Sequence, residues 1–324
     1  MEENEELCRV PSREEIRKVV FEMKSLKAPG LDGFPTLFYK HYWETVGDQI
    51  ILATQSFFRS GRILSELNET FIALIPKKNG SCNFNQFHPI SLCNVCYKVI
   101  SKIIVNRLRP LLSRMIDPAQ VAFVPNRWIA EDVVITQEVV HSFKKKKKKK
   151  GFLGIKIDFQ KAYDRMEWKF LSLTLKAFGF SNKFTNLIHQ CLSTVQYSVL
   201  LNGDKCPSFT PSSGLRQGDP LSPYLFILGS KVLMRLISRE VDHGQLAAIK
   251  VSSNAPPISK LCYADDVILF SKAKMSELAS LKICLEKYCA WFGQKVNVEK
   301  SGIFPPKGGK STILKSNKSL LGSQ

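Results

Sequence analysis

Two adjacent aspartates stand between short apolar segments in the box Tyr263-Ala264-Asp265-Asp266. The apolar residues on either side predict two buried strands with the acidic pair at the tip of a hairpin. A third carboxylate, Asp158, ends the apolar segment 154–157, which predicts a strand that delivers this side chain at its C-terminal end. Placing so much negative charge together is unfavourable unless positive charge is near. The folded chain therefore needs positive charge beside these three carboxylates.

A pair of divalent metal ions would meet this demand. Mg²⁺ prefers oxygen ligands from one or two carboxylates and from substrate phosphates. Two such ions about 3.5 to 4 Å apart stabilise the attacking and leaving oxygens of an in-line phosphoryl transfer. We therefore predict that Asp158, Asp265 and Asp266 are the metal ligands and catalytic residues of a polymerase. Taken alone, however, an Asp-Asp pair between apolar segments is also typical of a solvated turn.

The order of motifs decides between a metal site and a solvated turn. Eight motifs, the acidic box among them, follow one another along the chain. They are Lys27–Gly33 (KAPGLDG), Phe71–Lys78 (FIALIPKK), His88–Leu92 (HPISL), Gln120–Pro125 (QVAFVP), Asp158–Arg165 (DFQKAYDR), Gly214–Tyr224 (GLRQGDPLSPY), 263–266 (YADD) and Gly293–Ser301 (GQKVNVEKS). From about Lys24 to Phe304 this succession resembles the reverse transcriptase domain of plant-type non-LTR (LINE-type) retrotransposons. The resemblance implies an α+β right-hand polymerase with fingers and palm and a short antiparallel palm sheet packed on helices. In the family a thumb normally follows, and because the chain ends about twenty residues after Lys300, we expect the thumb to be absent.

The resemblance also implies roles for residues beyond the aspartates. Tyr163 matches the aromatic residue beneath the sugar of the incoming nucleotide, where its bulk excludes a 2′-hydroxyl; the alternative is a core aromatic on a helix that starts near Lys161. Gln217 and Gly218 match the segment that lies against the nucleotide and template. Lys300 matches a lysine that protonates the leaving pyrophosphate, although a solvated lysine is the simpler interpretation. Asp219 is expected only to cap a helix that has Pro220 in its first turn.

One motif departs from the family pattern, since His88 stands where the family usually has arginine. Arginine grips phosphate with a permanent charge and two parallel hydrogen bonds. Histidine at pH 7 is mostly uncharged. We therefore expect a weak hold on the nucleotide triphosphate on the fingers side, unless Lys77 or Lys78 compensates.

Charge composition agrees with a nucleic-acid partner, because 47 Lys and Arg oppose 28 Asp and Glu. Seven of these lysines form the run Lys144–Lys150, which is typical of a solvated loop and less so of a nuclear-import patch. Removing these seven charges from the net +19 leaves +12, so the basic character does not depend on the run. An excess of positive charge is the electrostatic signature of phosphate binding.

The chain is expected to form one polymerase unit, with fingers segments before and after the Asp158 strand. We divide it into an N-terminal segment (1–23), reverse transcriptase fingers and palm with the lysine-rich loop (24–306), and a disordered tail (307–324). No apolar run is long enough to span a membrane, and the acidic N-terminus does not resemble a secretory leader. An intracellular protein is expected, in the nucleus rather than the cytoplasm, with no membrane and no obligate protein partner.

Nine cysteines without regular pairing are typical of reduced thiols. Their spacing leaves one alternative, a zinc site built from Cys82, His88, Cys93 and Cys96. It is disfavoured because these cysteines lie in an apolar, helix-like stretch and His88 is explained by the family pattern.

Three functional hypotheses remain. The leading one is an RNA-directed DNA polymerase, a nucleotidyltransferase that uses two Mg²⁺ ions, with Mn²⁺ as a substitute, and acts on deoxynucleoside triphosphates, a DNA primer and an RNA template. The second is a catalytically weak or inactive retrotransposon remnant that only binds RNA or an RNA-DNA hybrid. The third is a group II intron maturase or an RNA-dependent RNA polymerase. The motifs KAPGLDG and DFQKAYDR favour the retrotransposon branch instead, and Tyr163 argues against a ribonucleotide polymerase.

Overall fold

The structure is a computed structural model that describes residues 2–145 and 151–304. The expected lysine-rich loop at 144–150 lies outside the described residues except for Lys144 and Lys145, which end a helix. The expected tail at 307–324 lies entirely outside them. None of the helices that the structure describes combines the length and the hydropathy needed to cross a bilayer.

The helices in chain order are α1 (Glu2–Cys8), α2 (Arg13–Glu22), α3 (Thr36–His41), α4 (Trp43–Ser60), α5 (Ser65–Asn68), α6 (Val95–Met115), α7 (Ile129–Lys145), α8 (Trp168–Ala177), α9 (Asn182–Ser193), α10 (Ser222–Asp242) and α11 (Met275–Phe292). The strands are β1 (Glu69–Pro76), β2 (Phe87–Cys93), β3 (Phe152–Ile157), β4 (Gln196–Leu201), β5 (Asp204–Lys205), β6 (Lys260–Tyr263), β7 (Asp266–Lys272) and β8 (Gly302–Phe304).

Helix ends follow local sequence signals. The Oγ of Ser12 accepts a hydrogen bond from the backbone N–H of Glu15 at 3.2 Å and so caps α2, which begins one residue later. The helix α4 ends at Gly61, which adopts a left-handed conformation with φ 67°. Local polar groups and glycine thus decide where these helices begin and end.

The chain divides into two compact units, each built from two segments. Unit 1 contains Met1–Leu111 and Trp168–Leu225, and unit 2 contains Leu112–Glu167 and Phe226–Gln324. Unit 1 thus combines chain segments from before and after the strand β3, which belongs to unit 2.

Unit 1 contains a mixed sheet with strand order β2-β1-β4-β5. The pair β1–β2 is antiparallel, from Thr70↔Cys93 to Pro76↔Phe87, whereas β1 and β4 run parallel. The turn Asn202-Gly203 joins β4 to β5, as its sequence predicts. Fully buried aromatic side chains fill the core of this unit: Phe57, Phe58, Tyr97 and Phe184.

Unit 2 contains the sheet β6-β7-β3-β8, in which all neighbouring strands are antiparallel. The helix α11 packs against β7, and α7 packs against β6. Val139 of α7 lies in a buried cluster with Ile249, Leu261 and Phe270. The short antiparallel sheet packed on helices, predicted from the motif order, is therefore confirmed.

Candidate active site

The acidic box forms a tight hairpin turn in unit 2. Tyr263, the last residue of β6, pairs with Asp266, the first residue of β7, so that only Ala264 and Asp265 lie between the strands. Ala264 has φ 54°, a left-handed conformation that such a two-residue turn requires. The predicted hairpin with the aspartates at its tip is present.

The third carboxylate lies at the same end of the sheet. Strand β3 runs antiparallel to β7 and its last residue, Ile157, pairs with Val267. Asp158 is the next residue along β3, and Asp266 is the preceding residue along β7, so the pairing brings the two together. The adjacent pair Asp265 and Asp266 and the distant Asp158 thus lie at the same end of the sheet.

The carboxylates influence one another electrostatically. The pKa of Asp265 is raised above its ordinary value by loss of hydration and by the negative charges of Asp266 and Asp158, while Lys156 opposes the rise. The ammonium of Lys156 lies 3.1 Å from Oδ1 of Asp266. Burial and the neighbouring carboxylates therefore disfavour ionisation of Asp265, and Lys156 partly offsets this effect.

The donor set suits Mg²⁺ chemically, since it consists of carboxylate oxygens at strand ends. Among residues 2–145 and 151–304, however, no group of three or more His, Cys, Asp or Glu side chains is arranged to hold a metal ion. The assignment of Asp158, Asp265 and Asp266 as metal ligands therefore remains a prediction. The zinc alternative gains no support from the same residues, and all nine cysteines are free thiols.

Gln120 holds the hairpin turn, and sequence reasoning missed this role. Its Oε1 accepts hydrogen bonds from the backbone N–H groups of Ala264 at 3.0 Å and Ala122 at 3.1 Å. Its Nε2 donates to the carbonyl of Ala264 at 3.3 Å. The side chain is only 1% exposed. Gln120 opens the motif QVAFVP, and this was the only signal in the sequence that pointed to it.

Backbone hydrogen bonds on either side of Gln120 add to the contacts that hold the turn. The N–H of Val121 donates to the carbonyl of Cys262 at 3.2 Å, and the N–H of Cys262 donates to the carbonyl of Ala119 at 2.8 Å. Gln120 itself forms a parallel bridge with Cys262. The segment 119–121 therefore pairs with β6 through one isolated bridge, and this pairing brings Gln120 to the turn.

Tyr163 lies near the acidic turn. Its ring stacks on Phe226 with centroids 4.9 Å apart and planes 4° apart. Burial raises the pKa of its hydroxyl, and the charge of Asp265 adds to the rise. The expected helix near Lys161 is wrong: residues 160–165 form turns, Lys161 has φ 48°, and α8 begins only at Trp168. Tyr163 is thus held by ring stacking rather than by a helix.

Lys300 is exposed in a turn, two residues before β8 begins at Gly302. Its neighbour Ser301 accepts a hydrogen bond on Oγ from the N–H of Asp158 at 3.0 Å. The N–H of Asn297 donates to the carbonyl of Asp158 at 2.7 Å. The segment that carries Lys300 is therefore bound to the backbone of Asp158, which places this predicted catalytic lysine on the segment that borders the carboxylates.

The predicted nucleotide-binding residues of unit 1 follow the strand β2. The N–H of Ser91 donates to the carbonyl of Gln217 at 2.7 Å. Gly218 has φ 114°, and a Cβ placed on it would lie 2.9 Å from the carbonyl oxygen of Ser91. Glycine is required here both for its backbone conformation and for the close approach to the strand.

His88 lies on the same strand and is exposed. It pairs with Ile75 of β1, two residues before Lys77. The ammonium of Lys77 donates to the backbone carbonyl of Asn85 at 2.9 Å. Unit 1 thus presents Lys77, His88, Gln217 and Gly218 along one strand pair, while Tyr163, Lys300 and the three aspartates belong to unit 2.

Asp219 was expected only to cap a helix, and this expectation was wrong. The helix α10 begins at Ser222, three residues later. Oδ1 of Asp219 accepts from the N–H of Leu221 at 2.9 Å, while Oδ2 accepts from the hydroxyl of Tyr97 at 2.6 Å. The same oxygen lies 3.4 Å from Nε of Arg216, so Asp219 belongs to a buried ion pair.

Comparisons with known proteins agree with this geometry. Residues 75–313 match the family described as reverse transcriptase (RNA-dependent DNA polymerase). The chain is 27% identical to the transposon TX1 uncharacterized 149 kDa protein of Xenopus laevis over 288 residues, which are 89% of this chain and 21% of that protein. It is 28% identical over 256 residues to the retrovirus-related Pol polyprotein of the R2DM retrotransposable element of Drosophila melanogaster, which covers 77% of this chain and 23% of the relative.

A solved structure shares the fold. The structure of telomerase from Candida tropicalis with a fragment of telomeric RNA matches with a TM-score of 0.53 at 16% identity, over 86% of this chain and 46% of that one. The chain therefore spans less than half the length of these relatives. Because the family match extends over most of its residues, the chain belongs to the reverse transcriptase (RNA-dependent DNA polymerase) family, and the two sequence relatives named above are non-LTR retrotransposon proteins.

Proposed function

We propose that this protein is an RNA-directed DNA polymerase domain that joins deoxynucleotides to the 3′-hydroxyl of a DNA primer on an RNA template. The observation that carries the proposal is the meeting of Asp158, Asp265 and Asp266 at one edge of the sheet of unit 2. These residues lie within the segment that matches the reverse transcriptase family.

Each residue has a role in this proposal. Asp158, Asp265 and Asp266 would hold two Mg²⁺ ions, with Mn²⁺ as a substitute. When bound, such ions supply Lewis-acid stabilisation of the attacking and leaving oxygens. Tyr163, stacked on Phe226, closes the space beneath the sugar to a 2′-hydroxyl.

The remaining residues bind the nucleotide or handle a proton. Lys300, on the segment bound to the backbone of Asp158, donates a proton to the leaving pyrophosphate. Gln217 and Gly218, which contact β2 at Ser91, lie against the base and template, and Lys77 and His88 contact the triphosphate. The +12 charge that remains without the lysine run supports binding of the template–primer duplex.

Primer extension on an RNA template tests this function. The purified protein is incubated with Mg²⁺ or Mn²⁺ and four deoxynucleotides, alongside the variants Asp265→Asn and Asp242→Asn. Asp242 is an exposed carboxylate at the end of α10, outside the acidic turn, and so controls for loss of one negative charge. We expect metal-dependent extension by the parent protein and by Asp242→Asn, and none by Asp265→Asn. Extension that survives in Asp265→Asn would refute the proposed role of the turn.

The competing function is a remnant that binds RNA or RNA-DNA hybrid without turnover. It is favoured by His88, an exposed side chain that stands where the family usually has arginine. Hybrid binding measured at several salt concentrations distinguishes the two. Salt-sensitive binding without any extension would identify the remnant.

A nuclear location is part of the same proposal, because a polymerase that copies RNA onto a DNA primer needs access to chromosomal DNA. Fluorescence of a tagged chain in cells tests it. Exclusion of the tagged chain from the nucleus would contradict this part of the proposal without affecting the catalytic one.

A further inference from the structure

A buried arginine stands directly before the Gln217–Gly218 segment. The guanidinium of Arg216 is only 2% exposed. One of its terminal nitrogens donates to Oδ1 of Asn68 at 2.6 Å, and the other donates to the carbonyl of Cys191 at 2.6 Å. Arg216 therefore connects the C-terminal residue of α5 with α9 through two short hydrogen bonds.

The same guanidinium is fixed from two further sides. Its central carbon lies 3.7 Å from the ring centroid of Tyr97, which is a close cation–π contact. Its Nε lies 3.4 Å from Asp219, and the hydroxyl of Tyr97 donates to the same carboxylate at 2.6 Å. Arg216 and Asp219, the residues on either side of the Gln217–Gly218 segment, are thus both held by Tyr97 of α6.

The segment between these two anchors contacts β2. The carbonyl of Gln217 accepts from the N–H of Ser91, and Gly218 approaches the carbonyl of Ser91 closely. The backbone of the segment is consequently fixed at both ends and in the middle. Its position relative to His88, three residues earlier on β2 than Ser91, is determined by these contacts.

Stability alone does not explain such a buried pair. Replacing a buried ion pair by well-packed apolar residues is often neutral or stabilising, because desolvation offsets the attraction. Apolar residues, however, make no directional hydrogen bonds. What Arg216 and Asp219 add is therefore a defined position for the two residues between them.

We propose that Arg216 is a positioning residue, which sets nucleotide affinity by holding Gln217 and Gly218 against β2. This inference rests on the proposed function, in which Gln217 contacts the incoming nucleotide. It assigns to Arg216 no contact with substrate. Its effect should therefore fall on the KM for deoxynucleotide more than on kcat.

The test compares Arg216→Met with Arg107→Met. Arg107 is a matched control, because it is also buried in unit 1, pairs with Glu15 at 2.9 Å and lies 5.1 Å over the ring of Phe58. Both variants lose a buried cation that contacts an aromatic ring. Only Arg216→Met loses a contact beside the Gln217–Gly218 segment.

Two quantities are measured in the full chain. Hydrogen exchange of the Ser91 amide reports whether the segment stays on β2, and we expect at least about a tenfold loss of protection in Arg216→Met alone. The KM for deoxynucleotide in primer extension should rise by about 10-fold to 100-fold in the same variant, which corresponds to about 1.4 to 2.8 kcal/mol of lost binding. Arg107→Met should change neither quantity beyond twofold.

Further outcomes decide the proposal. Arg216→Lys retains the positive charge but lacks the planar set of donors of arginine. Its KM should therefore lie between those of the parent protein and Arg216→Met. If Arg216→Met does not fold, Arg216→Lys replaces it in both measurements. An equal rise of KM in Arg107→Met, or unchanged Ser91 exchange in Arg216→Met and Arg216→Lys, would overturn the proposal. If the parent protein does not extend a primer, the proposed function fails, while Ser91 exchange still decides whether Arg216 positions the segment.

Discussion

Replacing Gln120 by leucine removes the side chain that holds the acidic turn of unit 2. Three hydrogen bonds are lost: two accepted from the N–H groups of Ala264 and Ala122, and one donated to the carbonyl of Ala264. Gln120 and Ala264 are both buried, so water does not readily replace these bonds. At a net contribution of roughly 1 kcal/mol each, the loss is about 3 kcal/mol.

Gln294→Leu provides a matched control in the same unit. Gln294 is also buried, but its Nε2 makes one hydrogen bond, to the carbonyl of Ala162 at 2.9 Å. Its Oε1 is buried and has no hydrogen-bond partner in the part of the chain that the structure describes. Removing this unsatisfied oxygen offsets part of the loss, so the cost should be about 1 kcal/mol or less. The same substitution should therefore differ by about 2 kcal/mol between the two sites.

Native-state hydrogen exchange of the Ala264 and Ala122 amides measures the effect locally. This is preferable to a single unfolding curve, since a chain with two compact units need not unfold in one step. A loss of about 3 kcal/mol corresponds to exchange more than about a hundredfold faster. Primer extension by Gln120→Leu should slow by at least about tenfold, because the turn carries Asp265 and Asp266. Equal exchange rates for the two glutamine variants, or a cost below about 1 kcal/mol for Gln120→Leu, would refute the reasoning.

Three other substitutions give direct tests. His88→Arg should lower the KM for deoxynucleotide, because arginine adds a permanent charge, whereas His88→Gln should not; an unchanged KM in His88→Arg would contradict the predicted weak grip. Tyr163→Ala should increase incorporation of ribonucleotides relative to deoxynucleotides and Tyr163→Phe should not, as primer extension with each nucleotide type would show. Gly218→Ala should lower the melting temperature more than Gly203→Ala. Both glycines have positive φ, but only at Gly218 would a Cβ lie 2.9 Å from a backbone oxygen. Equal decreases in the melting temperature of the two variants would count against the close approach.

The hairpin at Asp265 and Asp266 and the strand that ends before Asp158 could be predicted because their causes are local in the sequence. Apolar segments next to Asp158 and Asp265 predict strands whether or not their partners are known, and a two-residue connection allows only a hairpin. The cap at Ser12 and the turn at Asn202-Gly203 depend on neighbouring residues in the same way. Motif order then added the family and its α+β palm sheet.

The contacts that hold these elements in place could not be read from the sequence. Gln120 reaches Ala264 across 144 positions, and Tyr97 reaches Asp219 across 122. Nothing near Asp219 indicates that its carboxylate is buried, so the local pattern predicted a helix cap and missed the ion pair with Arg216. The order of motifs likewise did not predict the parallel pairing of β1 with β4.

The sequence by itself thus determined where charge, turns and strands lie along the chain, since these follow from the preferences of neighbouring residues. Tertiary structure alone decided which buried polar groups satisfy one another. A buried donor or acceptor must find a partner wherever packing brings one, and the partners of Gln120 and Arg216 include Ala264 and Asn68, which lie far away in the chain.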